Sequence, residues 1–292
     1  MGEKKERRKF GDRFDGKLIK ELDPMHVITP ILYPNRCDNE AYMMERIDLA
    51  PIRAYLEKIN ANEKDFPYTV FHIIVTAIIK VLTVRPKMNR FVANKLMYQR
   101  NEVTASFVVK KLFSDDGEEA LAIIHADPKD TMQTIHQKLF EQISVSRSDV
   151  IDKSSESMDI VSRMPRRLTR VFCEFCCFLD RIGKCPRGLI ETDPYYTSVL
   201  LSNIGSLHIK SGYHHLTNWG TCSLFCLVGE IKNRMVLDEN NQTVVKETID
   251  LGLTIDERLA DGYYYSKTLR LLKKLLENPE LLELPMDEEI DY

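Results

Sequence analysis

Long apolar runs are absent from this sequence of 292 residues. No uninterrupted hydrophobic stretch reaches the roughly 18 residues that a membrane-spanning helix needs, and the basic start, residues 1–9, is not followed by the apolar segment of a secretory signal. Neither sign of charge dominates, because 41 basic residues face 44 acidic ones. We therefore expect a cytoplasmic protein with no membrane span and no nucleic-acid partner.

Three common catalytic signatures are also missing. The sequence contains no Gly-x-x-x-x-Gly-Lys-[Ser/Thr] phosphate loop, no Gly-x-Gly-x-x-Gly turn after a strand, and no Gly-x-Ser-x-Gly nucleophile turn. These absences argue against phosphoryl transfer, nicotinamide chemistry and α/β-hydrolase chemistry.

Seven cysteines are present, and four of them cluster at Cys173, Cys176, Cys177 and Cys185. A Cys-x-x-Cys pair can bind zinc, but a structural zinc site needs a second matching pair, and the other two cysteines do not repeat the spacing. Residues 166–183 resemble an apolar helix, in which a free cysteine packs as a small hydrophobic side chain. We predict inert core thiols and no metal, with a metal or redox protein as the weakest alternative.

Hydrophobic periodicity predicts one α/β domain without internal repeats or flexible linkers. The domain covers residues 23–285, between a charged and mobile segment, 1–22, and a solvated acidic tail, 286–292. Helices are predicted at 68–84, from Asp127 to about 145, at 166–183 and from Asp261 onward. Strands are predicted at 41–49, 90–99, 103–113, 119–127, 196–203, 220–232 and 244–255.

Two segments combine an apolar strand with polar residues at its end. In the first, residues 200–205, Ser202 could donate a hydrogen bond to an oxyanion, or Ser202 and Asn203 could simply begin a turn. In the second, residues 256–262, four charged side chains stand close together, which is costly unless they pair. Asp261 could cap the following helix, and Arg258 could pair with Asp261 or with Asp256.

These two segments carry a resemblance to a known family. Thr254-Ile-Asp-Glu-Arg-Leu-Ala-Asp-Gly262, the leucine-rich helix after it and Leu276-Glu-Asn-Pro-Glu-Leu-Leu282 resemble the end of the catalytic domain of 2-oxo acid dehydrogenase dihydrolipoyl acyltransferases. Ser202-Asn-Ile-Gly205 is similar to the Ser-Asn-Leu-Gly of that family, and residues 71–90 show a looser match. The resemblance implies the chloramphenicol-acetyltransferase-like fold, a two-layer sandwich in which a mixed β-sheet packs against helices.

The resemblance also implies a role for each matching residue. The motif histidine of the family takes the proton of a coenzyme A or dihydrolipoamide thiol, and Glu257 occupies that position here. Ser202 matches the hydroxyl that binds the tetrahedral oxyanion. Asp261 matches a structural aspartate with an arginine partner from the N-terminal part of the domain, either Arg13 or Arg36. Four further residues match structural positions of the site: Arg258, Asn203, Gly205 and Gly262.

The glutamate at position 257 is the main departure from the family. A carboxylate in water, with a pKa of about 4.3, is a poor base for a thiol with a pKa of about 8.5, although burial in an apolar channel can raise a carboxylate pKa by several units. The runner-up base is His215, in Tyr213-His-His-Leu-Thr-Asn-Trp219. We interpret His72, on an apolar helix, as a hydrogen-bonded core histidine.

The function expected from the resemblance is coenzyme-A-dependent acyl transfer through a channel between the subunits of a homotrimer. Coenzyme A or acyl-CoA would be a substrate, together with a small-molecule acyl acceptor or thioester. Only about 22 residues precede the match, so we expect neither a lipoyl domain nor a subunit-binding domain, and no covalent lipoyl group. The alternative is a catalytically inactive homologue that acts as a trimeric scaffold or ligand-binding protein.

Overall fold

The computed structural model describes residues 9–61, 65–110, 119–147, 161, 163–238 and 240–292. The helices are α1 Pro24–Leu32, α2 Ala50–Ile59, α3 Val70–Val84, α4 Met132–Arg147, α5 Arg166–Arg181, α6 Arg187–Ile190 and α7 Gly262–Glu277. The strands are β1 Gly16–Leu18, β2 Glu40–Asp48, β3 Arg90–Ala93, β4 Leu96–Arg100, β5 Val103–Lys110, β6 Glu119–Ala126, β7 Val199–Asn203, β8 Leu224–Val228, β9 Lys232–Leu237 and β10 Thr243–Asp256.

A mixed sheet organises the molecule. Its strands run in the order β2-β10-β8-β7-β5-β6, with β9 added beside the first half of β10. The two central contacts, β5 with β7 and β7 with β8, are parallel, whereas the other pairs are antiparallel. A second, three-stranded sheet has the order β1-β4-β3. The fold prediction of a mixed sheet packed against helices is confirmed.

One face of the large sheet carries the hydrophobic core. Alternate residues of β10, such as Leu251, Leu253 and Ile255, pack with α2, α3, α4 and α7, because successive side chains of a strand point to opposite faces. Helix α3 is buried along most of its length. Gly252 faces the opposite side, where a Cβ atom would approach the carbonyl oxygen of Gly212 to 1.7 Å.

Several predicted boundaries are wrong. The expected strand 90–99 is a hairpin, because Asn94 and Lys95 adopt positive φ values of 47° and 64° in a tight turn between β3 and β4. Strand 220–232 is shorter than expected, and β9 forms a separate strand after it. Helix α4 begins at Met132, because Asp127 and Asp130 hold a turn before it. The expected polar loop after α4 lies largely outside the described residues.

Both predicted mobile ends are partly ordered. Within the segment 1–22, β1 pairs with β4, and Arg13 is buried against Asp15 and Asp180. At the other end Met286 is fully buried, and its backbone N–H donates to Asp130. The predictions of a mobile N-terminal segment and of a fully solvated tail are therefore wrong for these parts; residues 1–8 lie outside the described chain.

The cysteine-bearing helix α5 is mostly exposed, so the prediction of core packing is wrong for it. Cys176 is buried, but Cys173 and Cys177 are exposed, as are Phe175 and Phe178 at 56% each. Over the ranges that the structure describes, no cluster of three or more His, Cys, Asp or Glu side chains is arranged to hold a metal ion. No helix within these described ranges is long and apolar enough to cross a membrane.

Candidate functional site

Asp256 ends strand β10 and is completely buried. Its carboxylate accepts two hydrogen bonds from the Arg258 guanidinium, from Nε at 2.8 Å and from Nη2 at 2.6 Å. Arg36 approaches from the other side, with Nε 3.7 Å from Asp256 Oδ2. The Asp256 carboxylate and the Arg258 guanidinium can be buried because they pair with each other. The structure thus selects Asp256 over Asp261 as the partner of Arg258.

Arg258 also fixes the backbone around it. Its Nη1 donates to the carbonyl oxygens of Tyr33 and Pro34 at 2.9 and 3.1 Å. The Arg258 carbonyl oxygen lies 3.1 Å from Nδ1 of His26 on α1. Asp256 and Arg258, the residues on either side of position 257, are thereby anchored. The backbone N–H of Glu257 donates to the Asn39 carbonyl oxygen at 2.9 Å. The backbone that presents Glu257 is held from several directions.

Tyr265 stabilises the same turn, although no sequence motif predicted this role. Its hydroxyl donates to the Asp256 carbonyl at 2.9 Å and accepts the Ala260 N–H at 3.2 Å. Burial raises the pKa of this phenol far above its ordinary value, so the hydroxyl keeps its proton. A tyrosine in the first turn of a helix after a charged turn is the only sequence signal for this role.

Asp261 forms the N-cap of α7, as predicted. Its carboxylate accepts the Tyr264 N–H at 2.8 Å, and this bond lowers the pKa of Asp261. The predicted arginine partners lie elsewhere in the described chain. Arg13 pairs with Asp15 and Asp180, and Arg36 approaches Asp256.

Glu257 itself is exposed, unlike its two neighbours. Its carboxylate makes no hydrogen bond or ion pair with any other described residue. It lines a cavity of about 390 Å³ whose other walls are mainly apolar, formed by Ala41, Met43, Ile255, Ala260, Gly262, Tyr265, Ser266 and Leu269. The described residues of a single chain therefore do not bury this carboxylate, as a raised pKa would require.

Ser202 lies half-buried near the end of β7, and its hydroxyl has no hydrogen-bond partner among the described residues. Asn203 caps the 3₁₀ turn Ile204–Leu207 by accepting the Ser206 N–H at 3.3 Å. Gly205 is required sterically, because a Cβ atom there would lie 2.2 Å from the Gly229 carbonyl oxygen. The turn predicted at this point therefore forms, and it leaves the serine hydroxyl available.

Ser202 and Glu257 do not meet within one chain. Ser202 is in register with Leu227, which is in register with Gly252. Glu257 follows Gly252 by five residues. At about 3.3 Å per residue and about 4.8 Å per strand, the two side chains are separated by roughly 17 Å along β10 and roughly 10 Å across the sheet.

The two alternative histidines have structural contacts. His215 is exposed, and its Nδ1 lies 2.9 Å from the Leu216 carbonyl oxygen, while the ring of His214 stacks on Phe225 with centroids 4.2 Å apart. His72 is buried and accepts the Thr69 N–H at 3.3 Å in a capping box. Burial, with a smaller contribution from His136, lowers the pKa of His72 to about 3. The interpretation of His72 as a hydrogen-bonded core residue is confirmed.

Comparison with known proteins gives three findings. Residues 193–284 match the family model of the 2-oxoacid dehydrogenases acyltransferase (catalytic domain). The fold is similar to that of a probable dihydrolipoamide acetyltransferase from Listeria monocytogenes, with 15% identity, a TM-score of 0.57, and coverage of 91% of this chain and 95% of that one. No curated protein sequence matches the chain.

Two further solved structures have the same fold. The dihydrolipoamide acetyltransferase of Azotobacter vinelandii is 14% identical, with a TM-score of 0.57 and coverage of 92% of this chain and 95% of that one. A chloramphenicol acetyltransferase is 12% identical, with the same TM-score and coverage of 89% and 99%. The resemblance inferred from the motifs is confirmed: residues 193–284 carry the sequence pattern of 2-oxoacid dehydrogenase acyltransferase catalytic domains, and the chain has the fold that these domains share with chloramphenicol acetyltransferase.

Proposed function

We propose that this protein transfers an acyl group between thiols, one of them coenzyme A, at sites formed between the subunits of a homotrimer. Glu257 of one subunit is the base and Ser202 of the next subunit binds the oxyanion. The acyl donor is a thioester, and the acceptor is a small thiol such as dihydrolipoamide.

The observation that carries this proposal is the contrast inside one motif. Asp256, Arg258 and Asp261 all use their side chains to hold the turn. Glu257, between them, uses only its backbone and extends its carboxylate beside an apolar cavity. Ser202 is likewise uncommitted at the end of its strand. A turn anchored this firmly around a free carboxylate is arranged to present that carboxylate.

The separation of the two groups supports an assembly of more than one chain. Within a subunit they lie roughly 20 Å apart by strand spacing, which exceeds the reach of a single tetrahedral intermediate. A closed ring of identical subunits repeats one interface. If that interface joins the Glu257 end of one subunit to the Ser202 end of the next, every subunit contributes to two sites.

The chemistry balances in two steps. Glu257 accepts the thiol proton, and the resulting thiolate forms a C–S bond to the acyl carbonyl carbon. The oxyanion accepts a hydrogen bond from the Ser202 hydroxyl. When the intermediate collapses, its original C–S bond breaks, and the departing thiolate takes the proton back from Glu257. Closing the apolar cavity with a second subunit would supply the desolvation that makes a carboxylate more basic.

The solved relative from Azotobacter offers a parallel. A serine, a histidine and an asparagine are connected with the catalytic mechanism of that enzyme, and the last two are four residues apart. Glu257 and Asp261 have the same spacing, with Ser202 upstream. In the proposed site, a glutamate takes the position of the histidine and an aspartate that of the asparagine.

The experiment compares thiol exchange between acetyl-CoA and dihydrolipoamide for the wild type, Glu257→Gln, Ser202→Ala and Glu257→His. We expect each of the first two substitutions to lower the rate by about 100-fold or more, the range typical for a general base or an oxyanion donor. Glu257→His should raise it, because imidazole with a pKa of about 6.5 is a better base for a thiol. Equal background rates in all four proteins would show an inactive scaffold instead.

A further inference from the structure

A second cavity, of about 330 Å³, lies apart from the apolar one beside Glu257. Its walls come from the loop before β2, the β3–β4 turn, the end of α5 and the segment before β8. The lining residues are Pro34, Asn35, Arg36, Val92, Ala93, Asn94, Lys95, Asp180, Arg181, Asn218, Gly220 and Arg258. Four of these side chains are basic and one is acidic, so the cavity is cationic.

Two of the basic residues are buried and share a single counter-charge. Arg36 is 5% exposed and Arg258 is 2% exposed, and both approach the carboxylate of Asp256. The other contacts of Arg36 are to neutral carbonyl oxygens, those of Thr217 and Gly220 for Nη1 and of Val92 for Nη2. One carboxylate for two guanidinium groups leaves a positive charge in a low-dielectric environment, and such a charge attracts an anion.

Arg36 also retains an unused donor. Its Nε is buried and donates to no acceptor within the described residues, because Asp256 Oδ2, at 3.7 Å, is beyond hydrogen-bond distance. Burial lowers the pKa of Arg36, and the nearby Arg258 adds to this effect, which Asp256 only partly offsets.

Asp180, the acidic residue of the cavity, offsets the remaining charge only in small part. The Asp180 carboxylate accepts a hydrogen bond from Arg13, whose Nη2 lies 2.7 Å from Oδ1. Arg181, next to it, is exposed at the cavity edge. The carboxylate is therefore committed to a cation outside the cavity.

Lys95 places another cation at the rim at a conformational cost. It is exposed and has a φ of 64° in the β3–β4 turn, a left-handed conformation that glycine adopts with less strain. Backbone strain of this kind concentrates at binding sites. A lysine in a position that favours glycine adds a cation to the lining of this cavity.

From these observations we infer that this cavity binds a small molecule through a phosphate group. Guanidinium groups attract phosphate through their charge, and a lysine adds a mobile point charge. A volume of about 330 Å³ is within the range of small-molecule sites. The inference concerns binding alone and stands independently of the acyl-transfer proposal.

Isothermal titration calorimetry at constant ionic strength tests it, with inorganic phosphate and ribose 5-phosphate as probes. The test variant is Lys95→Gly with Arg181→Gln, which removes two rim cations and relieves the strained turn, so the fold is preserved. The matched control is Lys58→Gln with Lys274→Gln, which removes two exposed cations from α2 and α7, outside the cavity.

We expect saturable binding to the wild type and the control, weakened at least tenfold in the test variant. Ribose 5-phosphate binding tenfold or more tightly than phosphate would identify an organic phosphate as the ligand, and equal affinities would identify the phosphate group alone. The inference is overturned if neither probe saturates the wild type, or if the test variant binds as well as the control.

Discussion

Asp256 and Glu257 are consecutive carboxylates with opposite surroundings. In the buried turn, by which we mean Asp256, Arg258 and Arg36, the side chains contact one another and donate to backbone carbonyl groups. The presented groups, Glu257 and Ser202, have no side-chain partner in the described chain. The comparison teaches that the motif has two separable layers, one that determines whether the turn forms and one that faces whatever binds there.

The sharpest test of this comparison exchanges one carboxylate at a time for its amide. Asp256→Asn removes the carboxylate that two buried guanidinium groups share, and we expect the free energy of unfolding to fall by about 3–5 kcal/mol. Glu257→Gln changes the same charge one residue later at an exposed position and should alter stability by no more than about 0.5 kcal/mol. Urea unfolding of both variants measures the difference. Similar losses would erase the distinction between the two layers.

Part of the acid sensitivity should come from His72 in the core, outside both layers. Its pKa in the folded protein is about 3, below the ordinary value of about 6.5 for the unfolded chain. The unfolded state therefore binds more protons between these values, and stability falls as pH is lowered from 6.5 towards 3, by about 1.4 kcal/mol per pH unit. This loss adds to that of other groups.

His72→Gln isolates that contribution. Glutamine keeps an acceptor at the third helical position, which suits the capping box with Thr69, and it does not titrate. We expect the variant to show a shallower dependence of unfolding free energy on pH between 6 and 4, measured by urea titrations at several pH values. An unchanged slope would mean that the acid response arises elsewhere, including in the buried turn.

Two glycines of the predicted site give a smaller contrast. Gly205→Ala places a methyl group against the Gly229 backbone, and overpacking of this kind costs about 1–3 kcal/mol. A Cβ atom at Gly262 meets nothing within 4 Å, so Gly262→Ala should be neutral or slightly stabilising. Thermal unfolding of the two alanine variants compares them. Destabilisation by Gly262→Ala would show that the open space at that residue is filled in the assembled protein.

Much of the fold followed from local patterns, but long-range pairings did not. The apolar period of 70–84 and the N-cap at Asp261 specify α3 and α7 without reference to other parts of the chain. The burial of Met286 and the exposure of α5 depend on which surfaces the folded chain brings together. Sequence spacing carries no such information.

The candidate site was predictable to a similar extent. Glu257 and Ser202 were located by motif, and the helix cap at Asp261 was assigned correctly. The approach of Arg36 to Asp256 joins residues 220 positions apart in sequence, and Tyr265 reaches back over a turn. Sequence alone could not predict these contacts, because they depend on the register in which β2 pairs with β10.

Subunit complementation tests the central claim most directly. Ser202→Ala and Glu257→Gln chains carrying different tags are co-expressed, and assemblies containing both tags are assayed for thiol exchange. If each site takes one group from each of two subunits, a closed ring of three subunits that contains both tags has an intact site at about one third of its interfaces, so the mixed assemblies gain activity that neither parent has. Mixed assemblies no more active than their parents, with an active wild type, would contradict a site shared between subunits.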